Sequence, residues 1–218
     1  MELLLALIIH APDAADIHPE LRRESLTTLG LACSGRLLLP VGMSRLTALR
    51  KLNLAGNVLT DLPDTFAELT RLTDLDLRHN RLTRLPDALL ALSGLEELAL
   101  DFNPIAALPN DIHRLASLRS LSLIGTGLTD LPDGLARLED LTRLDLSRTG
   151  LTHLPPVLLA LPRLSELRLR SLRLRPTPEE VAAFPALSVL EVNPGAFRDA
   201  REARSRYLDA RPGLTLNI

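Results

Sequence analysis

The 218-residue chain has one cysteine, one lysine, one tyrosine, four phenylalanines and no tryptophan. A lone cysteine excludes an intramolecular disulfide framework and a Cys-rich zinc site. With 2% aromatic residues, the interior is not an ordinary mixed core. A basic excess is also missing: 25 basic and 27 acidic residues leave a net charge of -2, which argues against a general nucleic-acid binder. The longest apolar run, Leu3 to Ile9, is too short to span a membrane. It lacks the basic flank of a signal peptide, and Glu2 precedes it. What the chain has instead is leucine, 56 residues of it, within a hydrophobic fraction of 46%. Such a composition excludes intrinsic disorder. It suggests one small unit, repeated.

The leucines are periodic. Leu26, Leu49, Leu72, Leu95, Leu118, Leu141, Leu164 and Leu187 follow one another at intervals of 23 residues. Each opens the same phrase, Leu-x-x-Leu-x-Leu-x-x-Asn-x-Leu-x-x-Leu-Pro-x-x-Leu-x-x-Leu-x-x. Self-similarity at this period is the signature of a solenoid. The expected organisation is a leader over 1–25, seven repeats over 26–186, and a partial eighth repeat with a C-terminal cap over 187–218.

These residues resemble the leucine-rich repeat family, in its short bacterial and Ras-group form with Leu-Pro in the second half. The resemblance runs from Leu26 to about Val192. It implies an α/β solenoid: a right-handed superhelix with a parallel concave β-sheet and short helical or irregular convex segments. It says almost nothing about function.

The residues also make physical sense without the resemblance. Leu52-Asn53-Leu54 alternates as a half-buried strand should. One such strand cannot bury its leucines, but stacked neighbours form a continuous apolar column. Asn57, Asn80 and Asn103 occupy the turn after the strand, where an inward amide can satisfy backbone groups of adjacent turns. Ser34, Thr126 and Thr149 take that slot with a shorter hydroxyl, and Leu172 predicts an irregular turn in the seventh repeat. Pro40, Pro63, Pro86, Pro109, Pro132, Pro155 and Pro178 recur in the second half. Proline suits a helix's first turn, and Asp64, Asp87 and Asp133 follow it where a carboxylate favours a helix start.

A solenoid must cover its ends. The leader reads as a short N-terminal cap helix ending before Pro12. A dimer contact through Leu3–Ile9 is the alternative, so the chain is expected to be a monomer or a weak dimer. In the tail, Phe197, Ala200, Ala203 (or Arg204), Tyr207 and Leu208 share one helical face, and Leu214 to Ile218 alternates. This predicts a C-terminal helix followed by a closing strand.

Catalytic signatures are missing. No two of the five histidines have the i, i+4 spacing of a zinc motif. Ile124 to Gly127 lacks the remainder of a phosphate-binding loop, and no Gly-x-Ser-x-Gly elbow occurs. Some bacterial repeat proteins carry a ubiquitin-ligase domain with a catalytic cysteine. Here the only cysteine, Cys33, sits in the first repeat and reads as a small residue at the sheet edge. No enzyme, cofactor or metal is expected.

Function then rests on the outward strand positions, two, four, six and seven places after each repeat's first leucine. Adjacent strands stand about 4.8 Å apart. Lys51–Asp74, Arg78–Asp101, Arg143–Glu166, Asp145–Arg168 and Arg168–Glu191 are therefore expected lateral ion pairs. Asp76, Glu97, Arg148 and Arg170 have no opposite charge beside them in their own column. Phe102 lies outside the core slots that Phe66 and Phe184 occupy, and Ile124 interrupts a mainly polar column. Apolar anchors near unpaired charges have the composition of a protein interface. The six residues Asp76, Glu97, Phe102, Ile124, Arg148 and Arg170 are the candidate protein-binding set.

The reading is a non-enzymatic protein-interaction module in the bacterial cytoplasm, with no nucleic-acid or membrane partner. The alternative is a translocated effector that binds a host protein, entering the host without a cleavable signal peptide. Lysine scarcity fits either an arginine-rich genome or an effector that avoids ubiquitination.

Overall fold

The computed structural model describes residues 26–35, 38, 39, 43, 44, 46–172, 174, 176–193 and 200–217, with side chains of 200–203 excepted. The leader cap, the contact through Leu3–Ile9, Pro40 and Phe197 lie outside these residues.

Each repeat delivers one short strand. They are β1 Thr28–Gly30, β2 Lys51–Asn53, β3 Asp74–Asp76, β4 Glu97–Ala99, β5 Ser120–Ser122, β6 Arg143–Asp145, β7 Glu166–Leu169, β8 Val189–Val192 and β9 Thr215–Asn217. All nine form one sheet in chain order, every neighbouring pair parallel. Leu29, Leu52, Leu75, Leu98, Leu121, Leu144, Leu167 and Leu190 are register partners and point into the core. Burying one leucine contributes about 1.5–3 kcal/mol. A lone strand has no neighbour to provide that burial, so stacking and strand formation depend on each other.

The second half of most repeats closes with a 3₁₀ turn. These are Asp64–Glu68, Asp87–Ala91, Asn110–Arg114, Asp133–Arg137 and Pro156–Ala160. In each, the preceding proline is the N-cap residue, extended and without a side-chain cap. In the first four an aspartate stands in the first turn and acts by its charge, and Pro156–Ala160 has none. Phe66, Leu89, Ile112, Leu135, Leu158 and Val181 fill one buried column behind the sheet. Leu69, Leu92, Leu115, Leu138, Leu161 and Phe184 fill another. The seventh repeat departs from the pattern with an α-helix, α1 (Pro178–Ala182). It is capped by Thr177 and Glu180, each bonding the other's backbone N–H.

The turn slot behaves as a ladder. Asn80 donates to the Leu54 and Leu77 carbonyls and accepts the Leu59 N–H; Asn103 repeats this with Leu77, Leu100 and Leu82. The hydroxyls of Ser34, Thr126 and Thr149 donate to carbonyls within their own turns, Leu31, Leu123 and Leu146. At Leu172, which offers no polar group, Asn193 donates to the Leu172 carbonyl and accepts the Ser171 N–H.

The expected C-terminal helix and strand are present as α2 (Ala200–Ala210) and β9. Tyr207 of α2 is buried and its hydroxyl donates to the Pro176 carbonyl. Arg211, just past α2, donates to the carbonyls of Ala182, Phe184, Pro185 and Leu187. One guanidinium thus satisfies a whole loop, which its planar fork of donors allows.

Candidate functional site

In β1, β2 and β3 the central leucine is buried and both flanking residues are at least partly exposed. The exposed face carries two depressions. One, of about 520 Å³, spans β1 to β5 around Asn53, Asp76 and Ala99. The second, of about 420 Å³, spans β4 to β7 around Ser122, Ile124 and Asp145. Small residues on β4 and β5, namely Ala99, Ser120 and Ser122, form part of both floors.

Most charges on this face are paired, and three of the four expected to be unpaired are not. Arg78 grips Asp76 from two residues along the same chain, with Nη2–Oδ2 at 2.6 Å and Nε–Oδ1 at 2.9 Å. Glu97 receives Arg143 at 3.0 Å. Arg170 reaches Glu191 at 3.0 Å in the neighbouring column. The column rule failed because long side chains span i, i+2 neighbours, diagonals and two strand spacings. Only Arg148 of the four has no ion pair among the described residues, and it is exposed.

The lateral pairs came out unevenly. Lys51–Asp74 forms at 2.7 Å, Arg168–Glu191 at 3.6 Å and Arg168–Asp145 at a marginal 4.0 Å. Burial alone would raise the Asp74 pKa, but the Lys51 ammonium and the Thr73 hydroxyl hold it below its ordinary value. Arg143–Glu166 does not form, because Arg143 turns to Glu97 and Glu166 binds Arg168. Arg78–Asp101 is not in contact either. Asp101 is buried, and its carboxylate accepts the Ser122 hydroxyl and the Ile124 N–H at 3.0 Å. Burial pushes its pKa up against the opposing pull of those donors.

Phe102 does not fold onto its own turn. Its ring stacks on His79 of the preceding repeat, centroids 4.5 Å apart and planes 12° from parallel. It remains 40% exposed. Ile124 is half-buried beside it, its N–H tied to Asp101 and its carbonyl accepting the Phe102 N–H at 2.7 Å.

A backbone feature of this rim escaped the sequence reading. Cys33, Gly56, His79, Phe102, Gly125, Arg148 and Ser171, one per repeat, all have φ between 53° and 68°. This left-handed conformation is uncommon for residues other than glycine. It turns the chain from the strand into the Asn-slot turn. The signal was present, since glycine appears twice in that column. Where it does, the neighbour's side chain leans over the bare backbone: a Cβ on Gly125 would meet the Phe102 ring at 2.8 Å, and one on Gly56 would meet Cys33 Sγ at 2.7 Å.

Among the described residues, no cluster of three or more His, Cys, Asp or Glu side chains could hold a metal ion. No described helix is long and apolar enough to cross a membrane.

Comparison with known proteins agrees with this architecture. The leucine rich repeat family model matches residues 24–82 and 71–128. No curated protein matches the sequence. A leucine-rich repeat protein of Leptospira interrogans is similar in structure, with TM-score 0.65 and 24% identity, over 91% of this chain and 62% of the other. An internalin of Listeria monocytogenes gives TM-score 0.64 and 22% identity, over 99% and 67%. The plant peptide hormone receptor RGFR1, solved in complex with RGF2, gives TM-score 0.62 and 28% identity, over 78% and 28%. The chain therefore spans 62% of the Leptospira protein's length and 28% of the receptor's. A 23-residue period, register-matched parallel strands and the family match lead to one conclusion: residues 24–128 belong to the leucine-rich repeat family, and the same period and strand register run on through β8.

Proposed function

We propose that this chain is a non-enzymatic interaction module whose protein partner docks on the concave face of its sheet. The observation that carries this reading is Phe102, an exposed aromatic stacked on His79 at the rim of a face whose other charges are largely paired. An aromatic anchor beside a polar surround suits a protein partner better than a small polar ligand. The receptor RGFR1, seen in complex with RGF2, supports the same class of ligand.

Phe102, Ile124 and Arg148 form the centre of the proposed contact. Asp76, Glu97 and Arg170 flank it. Because these three already hold partners, they tune orientation more than they add affinity.

The test begins with the tagged full chain as bait in a lysate of its native organism. The affinity of the captured partner is then measured. Phe102→Ala should weaken binding by about thirtyfold, the loss typical of a hot-spot aromatic. Arg148→Glu should weaken it as well. Unchanged affinity in both variants would overturn docking on this face. The effector reading uses the same surface, and the single lysine among 25 basic residues, Lys51, fits it as it fits an arginine-rich genome. It predicts that the captured partner comes from a host lysate and not from the bacterial one.

A further inference from the structure

Asp101 is the one carboxylate of the second depression that no cation answers. The arginines of this part of the face are committed elsewhere: Arg78 to Asp76, Arg143 to Glu97, Arg168 to Asp145, Glu166 and Glu191, and Arg170 to Glu191 as well. Asp101 has no ion pair among the described residues. The face is therefore short of a positive charge at this point.

The carboxylate is a half-used acceptor. It is 5% exposed and lines the depression of about 420 Å³ between β4 and β7. Its Oδ1 takes both the Ser122 hydroxyl and the Ile124 N–H, and its Oδ2 accepts no hydrogen bond among the described residues. A carboxylate removed from water is costly unless a cation or several donors compensate it. Burial pushes the Asp101 pKa up, and the charge of Asp145 adds to the rise. Asp145 lines the same depression and is itself loosely held. Its Oδ1 accepts the Ser147 N–H at 2.9 Å, while its Oδ2 lies a marginal 4.0 Å from Arg168.

We infer that the depression between β4 and β7 receives a lysine side chain of the protein partner, its ammonium paired with Asp101. This deepens the proposed function and rests on its assignment of a protein ligand to this face. The chemistry of the depression chooses the occupant. An anionic group would meet Asp101 and Asp145, with the nearby arginines already engaged. A guanidinium binds best across both oxygens of one carboxylate, and Asp101 Oδ1 is taken. An ammonium is a compact charge for which one oxygen suffices. Its other donors can turn to the Ser122 hydroxyl, which keeps acceptor capacity, and to Asp145. Ala99 and Ile124 supply apolar wall for the methylene stem. The site borders the aromatic anchor, since the Ile124 carbonyl accepts the Phe102 N–H at 2.7 Å.

The experiment needs no partner, so it can fail independently of the docking reading. N-acetyl-lysinamide is titrated into the isotope-labelled full chain while the Ile124 amide and the Asp101 carboxyl carbon are followed. The expected result is a saturable shift of both, in the weak-affinity range. N-acetyl-argininamide should bind about fivefold more weakly, a difference of the size found for exposed ion pairs. N-acetyl-norleucinamide, which has the stem without the ammonium, should give no saturable shift. Asp101→Asn keeps an oxygen for Ser122 and Ile124 but removes the charge, and it should abolish the response while its amide map elsewhere matches the parent. The parent protein supplies a second reading that no loss of fold can imitate: saturation with lysinamide should lower the titration midpoint of the Asp101 carboxyl, because a cation favours the ionised form. The proposal is overturned if lysinamide gives no saturable shift, if argininamide or norleucinamide binds as well, if a folded Asp101→Asn still responds, or if the Asp101 midpoint does not fall.

Discussion

Arg143 on β6 reaches across β5 to Glu97 on β4, with Nη2 3.0 Å from Oε1. The β5 residue between them is Ser120, the register partner of both. Its short side chain leaves the path open, so an ion pair forms over two strand spacings instead of one. Both partners are about half exposed. Glu97→Gln should therefore lower unfolding stability by less than about 1 kcal/mol. The difference should vanish at about 1 M salt, where screening is nearly complete. Denaturant unfolding at two salt concentrations checks this. A loss that persists at high salt would mean the pair is better shielded than its exposure indicates.

The Asn ladder is a stronger constraint. Asn103 is 1% exposed and satisfies three backbone groups, one in its own turn and two in the preceding repeat. Asn103→Ala strands those groups in the interior and should cost about 2–4 kcal/mol. The next rung is Thr126, whose hydroxyl reaches only the Leu123 carbonyl. No bond to the Ile105 N–H is formed among the described residues, although Leu82 and Leu59 are served at the equivalent place. Thr126→Asn should supply it and raise stability by about 1 kcal/mol. Opposite signs in the two variants, read by thermal unfolding, would confirm that amide reach is the deciding property.

Gly134 is the glycine that packing alone requires. A Cβ there would lie 1.8 Å from the Asn110 carbonyl oxygen, in the adjacent 3₁₀ turn. Asn110 is itself engaged, its side chain accepting the Gly134 N–H at 3.3 Å. Gly134→Ala must push the two turns apart and should cost about 1–3 kcal/mol. An unchanged melting temperature would show that the convex side yields more readily than the sheet.

Tyr207 gives a direct reading of the C-terminal helix. Burial, with Glu180 and Glu179 nearby, pushes its phenol up to about 12. The folded state therefore holds the proton more tightly than the unfolded chain, whose phenol titrates at about 10. Stability from this group is complete below about pH 10 and declines as pH rises toward 12. Tyr207 is the chain's only tyrosine and there is no tryptophan, so tyrosinate absorbance reports this site alone. A titration midpoint near the unfolded value in the native protein would show that α2 does not hold its Tyr207 buried against the Pro176 carbonyl.

Much of the fold could be read from the residues because each repeat states the same local problem in the same words. Leu52, Leu75 and Leu98 cannot bury themselves singly, and a fixed 23-residue step brings each beside the next. Asn57, Asn80 and Asn103 announce a turn with carbonyls to satisfy. The candidate site was less legible. A column of letters shows which residues are strand neighbours, but not that Arg78 bends back to Asp76 or that Arg143 overshoots to Glu97. Those choices depend on side-chain length and on what stands in between, as Ser120 does. Arg211 shows the same limit, since nothing in its local sequence marks it as the donor to four carbonyls.

The leucine spacing alone was enough to set strand order, register and the apolar columns, since burial at a constant period has one economical solution. Tertiary structure decided which exposed charges are already satisfied, leaving Arg148 apart from Asp76, Glu97 and Arg170. It also decided that Phe102 rests on His79 and leans over the bare backbone of Gly125. Periodicity acts through the backbone and is shared by every repeat. Side-chain pairing acts through space, where one rung's small residue determines how far its neighbours can reach.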